Sequence, residues 1–139
     1  MDRYAKTTTV PVSRSRTQIQ DILANFGVDE FFFGTSSRGQ GIGFRHEGRV
    51  YKYSVPLPKR AKDMTEKQYE QALRRRWRVL HMTLKMKLEE IADGGMSFED
   101  QFLAQMCLPN GSSVSDFMKL PENIAKLEQA EMPKMLTGQ

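Results

Sequence analysis

The sequence has few of the residues on which catalytic, metal and disulfide sites are built. Its 139 residues include one cysteine, Cys107, and two histidines, His46 and His81. A single cysteine excludes an intramolecular disulfide and a Cys-x-x-Cys metal or redox site. The two histidines are 35 positions apart and belong to no His-x-x-x-His or Glu-x-x-His pattern. We therefore expect no catalytic residue, no metal and no cofactor, and a chain suited to a reducing cytoplasm.

Long apolar runs and nucleophile motifs are also missing. Nowhere do 18 consecutive apolar residues occur, and the first twelve residues, MDRYAKTTTVPV, lack the apolar run of a secretory signal. There is no Gly-x-Ser-x-Gly elbow, and the glycines at 39, 41 and 43 are not followed by the Lys-Ser/Thr of a phosphate loop. Because no general acid/base pair is recognisable, an enzyme ranks third among the functions considered below.

The charge that is present is concentrated in the middle of the chain. The totals are 21 Lys plus Arg and 17 Asp plus Glu, for a net charge of +4. Residues 45–87 contain 13 of the basic residues and only 4 of the acidic ones. A basic region of this kind favours an anionic partner more strongly than the net charge does.

Residue periodicity predicts one α+β domain spanning 1–139, with an extended N-terminal arm (1–12) and a frayed C-terminal tail (132–139). Ser15 and Gln18 match a capping box, followed by apolar residues at helical spacing, which predicts a helix over 16–26. Strands are predicted at 30–35, 41–46 and 49–55, with a loop at 36–41. Glu47-Gly48 fits a two-residue hairpin turn, so the three strands should form an antiparallel β-meander.

The hairpin register gives the two sheet faces different characters. His46 opposite Arg49 and Phe44 opposite Tyr51 fall on a largely apolar side that should meet the core. The reverse side carries Gly43, Arg45 and Lys52. We expect that side to be basic and nearly free of bulky side chains.

The longest helical pattern is 65–93, between a Thr65–Gln68 capping pair and Gly94-Gly95. One line of residues should face the core: Tyr69, Leu73, Trp77, Leu80, Leu84, Leu88 and Ile91. A second apolar line, Val79, Met82 and Met86, falls on the opposite side and predicts a second cover or a partner chain. Short helices should follow, capped by Ser97 and Ser115 and opened by Pro121, with Ile124 and Leu127 pointing inward.

A basic line runs along the same helix and is the best functional candidate in the sequence. It consists of Arg74, Arg78, His81 and Lys85, spaced four, three and four apart. Arginine favours bidentate phosphate contacts, so this line predicts an anion site, although a solvated charged face is the alternative. The complete candidate ligand-binding set is Arg74, Arg78, His81, Lys85, Arg75, Lys59, Arg60, Arg45 and Lys52.

Four segments together resemble a family of small uncharacterised proteins encoded by tailed bacteriophages and prophages. They are TTTVPVSRSRTQIQDIL, IGFRHEGRVYKYSVPLP, YEQALRRRWRVLHMTLKMKLEEIADG and SFEDQFLAQMCLPNGSSVSDFM. The resemblance covers about residues 7–118. It implies a viral origin and action in the cytoplasm of an infected bacterium, and it implies no role for any particular residue.

Two functions of different classes remain open. One is an accessory protein of phage replication, recombination or regulation that binds nucleic acid through the basic helix face. The other is a counter-defence protein that sequesters a host nucleotide signal or binds a host defence protein. Both are non-enzymatic, neither involves a membrane, and for both we expect a homo-oligomer.

Overall fold

The structure is a computed structural model that describes residues 8–37 and 39–133. The elements are α1 (Val12–Ala24), β1 (Glu30–Ser36), β2 (Gly39–His46), β3 (Arg49–Val55), α2 (Glu66–Ala92), α3 (Phe98–Gln101), a 3₁₀ turn (Leu103–Gln105), α4 (Val114–Met118) and α5 (Pro121–Leu127). This order confirms the predicted α+β class, with an N-terminal helix, a three-stranded meander, a long central helix and short C-terminal helices.

The sheet has the order β1-β2-β3, and both of its strand pairs are antiparallel. Glu47 and Gly48 have φ values of 49° and 80°, the left-handed conformations that a tight two-residue hairpin turn requires. The predicted pairings of His46 with Arg49 and of Phe44 with Tyr51 are therefore confirmed. The predicted loop at 36–41 is wrong, because Ser36 already pairs with Gly39.

The core lies between one face of the sheet and the helices α1, α2 and α3. Its buried apolar residues are Ile19, Leu23, Ile42, Phe44, Tyr51, Val55, Trp77, Leu84, Leu88, Phe98 and Phe102. Trp77 is fully buried, as expected, and its indole Nε1–H donates a 2.7 Å hydrogen bond to Oε1 of Gln40. This contact ties the middle of α2 to the start of β2.

Helix α1 starts earlier than the sequence predicts. Its N-cap is Pro11, whose carbonyl accepts hydrogen bonds from the N–H groups of Arg14 and Ser15. Ser15 is fully buried inside the helix and does not cap it. A proline has no N–H to leave unpaired, so a helix can begin directly after it. Of the predicted arm, residues 1–7 lie outside the described residues.

The ends of α2 are those that the sequence predicts. Thr65 and Gln68 form a reciprocal capping box at the start. At the other end, Gly94 has a φ of 83°, the left-handed geometry that commonly terminates a helix. In the described part of the chain, no helix has the length and apolarity that crossing a membrane requires.

The C-terminal segment covers part of the β3 edge and corrects two expectations. The Cys107 N–H donates a 2.7 Å hydrogen bond to the Val50 carbonyl. The predicted Ser115 cap is wrong: Ser113 caps α4, because only Ser113 has an acidic residue, Asp116, three positions later to complete a capping box. Ile124 and Leu127 are exposed instead of inward, since α5 packs on α4. The predicted tail lies outside the described residues from 134 onward.

Candidate functional site

Among the described residues, four arginines in the first half of α2 have no carboxylate partner. The ion pairs among residues 8–37 and 39–133 are Arg45–Glu30, Arg49–Glu99 and Arg60–Glu66. None of them includes an α2 arginine, so within this part of the chain no carboxylate oxygen lies within 4.0 Å of the guanidinium nitrogens of Arg74, Arg75, Arg76 and Arg78. Four cations without a carboxylate partner therefore lie within five consecutive residues of α2.

Two of these arginines are held by neutral amides. Arg78 donates from Nη1 to Oε1 of Gln18 at 2.6 Å, across the contact between α1 and α2. Arg74 donates from Nε and Nη2 to Oε1 of Gln71, at 3.2 and 2.6 Å. A glutamine amide orients a guanidinium group without cancelling its charge. Both arginines keep other N–H donors, so each can still bind an anion.

Helix α1 brings a further arginine to the same place. Helices α1 and α2 pack side by side and run parallel, because Gln71 contacts the Thr8 carbonyl and Arg78 contacts Gln18. Arg14 is exposed and precedes Gln18 by four residues, which puts both on one face of α1. We define the α1–α2 seam as Arg14, Gln18, Gln71, Arg74 and Arg78.

Arg14 is absent from the sequence-based set because the predicted helix began at residue 16, beyond Arg14. The signal that identifies it is Val10-Pro11 immediately before a helical pattern. Starting the helix after Pro11 places Arg14 and Gln18 one turn apart on a common face.

The remaining members of the basic line have different surroundings. His81 is only 6% exposed, and its Nδ1 has no hydrogen-bond partner among the described residues. Burial lowers the pKa of His81 below its ordinary value, and the charges of Arg78 and Lys85 lower it further. Its imidazole is therefore neutral at pH 7 and adds no charge to an anion site. Lys85 is exposed, two turns beyond Arg78 on the same side of α2.

The basic residues before α2 lie close to the start of the helix. Arg60 pairs with Glu66, and its guanidinium carbon lies 4.7 Å from the centre of the Tyr69 ring. Lys59 is exposed and has no ion pair with any described residue. Of these two cations, Lys59 is therefore the one that remains uncompensated.

Arg45 and Lys52 lie on the sheet face that points away from α2. They are separated from the seam by the thickness of the sheet, since the alternate residues of the same strands face the core. Arg45 pairs with Glu30 at 3.2 Å, and the Lys52 ammonium group donates to the Gly111 carbonyl. Within one protomer these two residues do not join the helix arginines in a single site.

That outer sheet face is not bare, which corrects the expectation of a surface nearly free of bulk. Phe32 of β1 pairs with Gly43 and lies across it, so that a Cβ built at position 43 would fall 2.0 Å from the Phe32 ring. The ring is 53% exposed. The sequence predicted the strand at 30–35 but not the register that places the Phe32 ring over this glycine.

No second chemical centre emerges from the described residues. Among them, no group of three or more His, Cys, Asp or Glu side chains is arranged to hold a metal ion. Cys107 is a free, partly buried thiol, and burial raises its pKa despite the opposing charge of Lys52. A raised thiol pKa reduces the thiolate fraction and with it the nucleophilicity of the sulfur.

Relationships to known proteins give no further guidance about this site. Comparisons of the chain with protein-family models, curated proteins and solved structures find no match.

Proposed function

We propose that this chain is a phage-encoded, non-enzymatic protein that binds nucleic acid through the α1–α2 seam. The observation that carries the proposal is the pairing of Arg74 and Arg78 with glutamine amides instead of carboxylates. The charge of an arginine that is paired with a carboxylate is neutralised within the protein. An arginine oriented by an amide keeps that charge for an external anion, and its fork of donors matches phosphate oxygens.

The surroundings of the seam support a polyanion over a single phosphate group. Arg14 lies one helical turn before Gln18, the residue that contacts Arg78, and Lys85 continues the positive charge along α2. A row of cations over several helical turns contacts successive phosphates of a strand, whereas one phosphate group occupies only one position. Because these contacts are made to the backbone, binding should show little sequence preference.

The resemblance to phage and prophage proteins supports the biological setting. We place the protein in the cytoplasm of the infected bacterium, as an accessory factor in phage replication, recombination or regulation. Lys59 lies just ahead of α2 and extends the positive region.

The test is fluorescence anisotropy with labelled single-stranded and duplex oligonucleotides over a series of salt concentrations. If three or four cations contact phosphates, the logarithm of the association constant should fall with the logarithm of salt concentration with a slope of about −3. Arg74→Gln with Arg78→Gln should flatten that slope by about two units.

The matched control is Lys119→Gln with Lys126→Gln, which removes the same charge from exposed positions at α4 and α5. It should leave the slope almost unchanged. An equal loss in both double variants would mean that only net charge matters, and the seam would then not be the site. Stoichiometric displacement of the oligonucleotide by a mononucleotide would support the counter-defence alternative instead.

A further inference from the structure

The side of α2 that faces away from the core has an ordered distribution of apolar and charged residues. Near its middle, Val79 is 42% exposed and Met86 is 67% exposed. Arg75 and Arg76 lie towards the N-terminal end, and Glu89 and Glu90 lie towards the C-terminal end. We call these six residues the outer face of α2: Arg75, Arg76, Val79, Met86, Glu89 and Glu90.

The charges of the outer face are free to act between molecules. Arg75, Arg76, Glu89 and Glu90 take part in none of the three ion pairs found in the described part of the chain. A surface that is basic at one end, apolar in the middle and acidic at the other complements a copy of itself turned end for end. Such a self-complementary surface is what a two-fold symmetric interface requires.

The register of that arrangement follows from the positions of the residues. A two-fold axis between positions 82 and 83 places Val79 against Met86 of the second copy. The same axis places the Arg75–Arg76 end of one helix against the Glu89–Glu90 end of the second copy. At 3.6 residues per turn, the direction from the α2 helix axis to this symmetry axis is about 190° from the direction in which Trp77 points. Because Trp77 points into the core, this is the outward side of α2.

We propose that a second copy of this chain docks on the outer face, with the two α2 helices antiparallel about this axis. The apolar contact of Val79 with Met86 occurs twice by symmetry, and the oppositely charged ends flank it and fix the register. The proposal does not depend on nucleic-acid binding, because Arg14, Arg74 and Arg78 remain outside the interface.

A groove beside the outer face accommodates the second copy. It has a volume of about 160 Å³ and is lined by Val79 and Thr83 of α2 and by Val55 and Pro56 at the end of β3. Met86 of the second copy arrives next to this groove. A flexible thioether side chain is well suited to filling such an irregular space.

The first measurement is the mass of the protein by size-exclusion chromatography with light scattering. We expect twice the 16.0 kDa of a single chain. Met86→Glu, which buries a carboxylate against Val79, should give the single-chain mass with an unchanged circular dichroism spectrum. A wild-type protein that elutes at the mass of one chain would overturn the proposal, as would a dimeric Met86→Glu variant.

Charge reversal tests the pairing itself. Arg75→Glu with Arg76→Glu should weaken self-association about tenfold or more, because glutamates then face glutamates. Glu89→Lys with Glu90→Lys should do the same with cations. Mixed in equal amounts, the two double variants should form a heterodimer, since every reversed end then meets its complement. If the mixture associates no better than either variant alone, the register is wrong.

Cysteine cross-linking tests the direction of the helices in a Cys107→Ser background. Val79→Cys with Met86→Cys should form a disulfide between chains on mild oxidation. The two positions of one helix are about 10.5 Å apart, too far for a disulfide within the chain. Met86→Cys alone should not cross-link, because the two copies of residue 86 are equally far apart in the dimer. Efficient cross-linking of that single variant would instead indicate parallel helices and overturn the proposal.

Discussion

Arg78 of α2 donates a 2.6 Å hydrogen bond to the amide oxygen of Gln18 of α1, so its partner across the seam is a neutral group. This contact orients the guanidinium while leaving its charge available. Gln18 is therefore a position at which a substitution can neutralise the charge of Arg78 without replacing any arginine.

Replacing Gln18 by glutamate should therefore weaken nucleic-acid binding. The new carboxylate forms an ion pair with Arg78, and the loss of about one phosphate contact should reduce the salt-dependence slope by about 0.9. Stability should rise by no more than about 1 kcal/mol, because the pair is only partly buried. Anisotropy titrations across salt concentrations and urea denaturation measure the two effects.

Gln18→Met is the matched control for this experiment. It removes the acceptor without adding charge, so the slope should stay close to that of the wild type. If Gln18→Met and Gln18→Glu reduce the slope equally, the orientation of Arg78 is what matters and its charge balance does not.

A second prediction concerns the hydrogen bond from Trp77 to Gln40. Gln40→Leu leaves the indole N–H buried without an acceptor, which should cost about 1–3 kcal/mol of unfolding free energy. Trp77 is the only tryptophan in the sequence, so its fluorescence reports urea denaturation directly. Gln20→Leu, on the exposed side of α1, is the comparison and should change stability by less than about 0.5 kcal/mol. Similar losses in the two variants would contradict a specific role for the Trp77–Gln40 contact.

The features that the sequence predicted correctly are those determined by a few adjacent residues. The β2–β3 register follows from the Glu47-Gly48 turn, and α2 is bounded by the Thr65–Gln68 box and Gly94. In each case the backbone conformation and its hydrogen bonds involve residues within three or four positions of one another. Such local rules apply whatever the rest of the chain does.

The features that were missed depend on contacts between distant segments. The β1–β2 connection carries no turn signal as specific as Glu47-Gly48, and the predicted loop at 36–41 concealed the register that places the Phe32 ring over Gly43. The amide acceptor of Arg78 was missed for a similar reason, whereas that of Arg74 is Gln71, three residues earlier on the same helix. Gln18 is 60 residues from Arg78 in sequence, and its role appears only when α1 packs beside α2. The basic line was visible from spacing alone, but the burial of His81 required knowledge of the core.

A third prediction uses the contact between Phe32 and Gly43. Gly43→Ala would bring a methyl group within 2.0 Å of the Phe32 ring, so the ring must swing away from the sheet. Because Phe32 is half exposed and can move, the cost should be moderate, about 1 kcal/mol or slightly more. Urea denaturation of Gly43→Ala, of Phe32→Ala and of the double variant completes a double-mutant cycle. The cost of Gly43→Ala should largely disappear when Phe32 is alanine.

Gly41→Ala provides the control for this cycle. A Cβ at position 41 would lie 2.9 Å from the backbone carbonyl oxygen of Tyr53, which cannot rotate away. Its cost should therefore be the same whether residue 32 is phenylalanine or alanine. If Phe32→Ala relieves both substitutions to the same extent, the Phe32 ring is not the specific obstacle at Gly43.

A fourth prediction follows from the lowered pKa of His81 and concerns stability as a function of pH. In the unfolded chain the imidazole titrates near its ordinary pKa of 6.5, whereas burial and the charges of Arg78 and Lys85 hold the folded pKa lower. As the pH falls below 6.5, the unfolded state therefore binds a proton that the folded state resists. Stability should be complete above pH 6.5 and should decline below it, by at most about 1.4 kcal/mol per pH unit.

Urea denaturation followed by Trp77 fluorescence at pH values on both sides of 6.5 measures this decline. The His81→Gln variant should be less stable than the wild type at every pH. Its free energy of unfolding should also change less with pH, because the contribution of the imidazole is gone. The pH range between about 6.5 and 5 is the informative one, because most carboxylates titrate below it. A slope that is the same in His81→Gln and in the wild type would mean that His81 takes up its proton equally well in both states. In that case burial and the neighbouring charges of Arg78 and Lys85 would not disfavour the imidazolium in the folded protein.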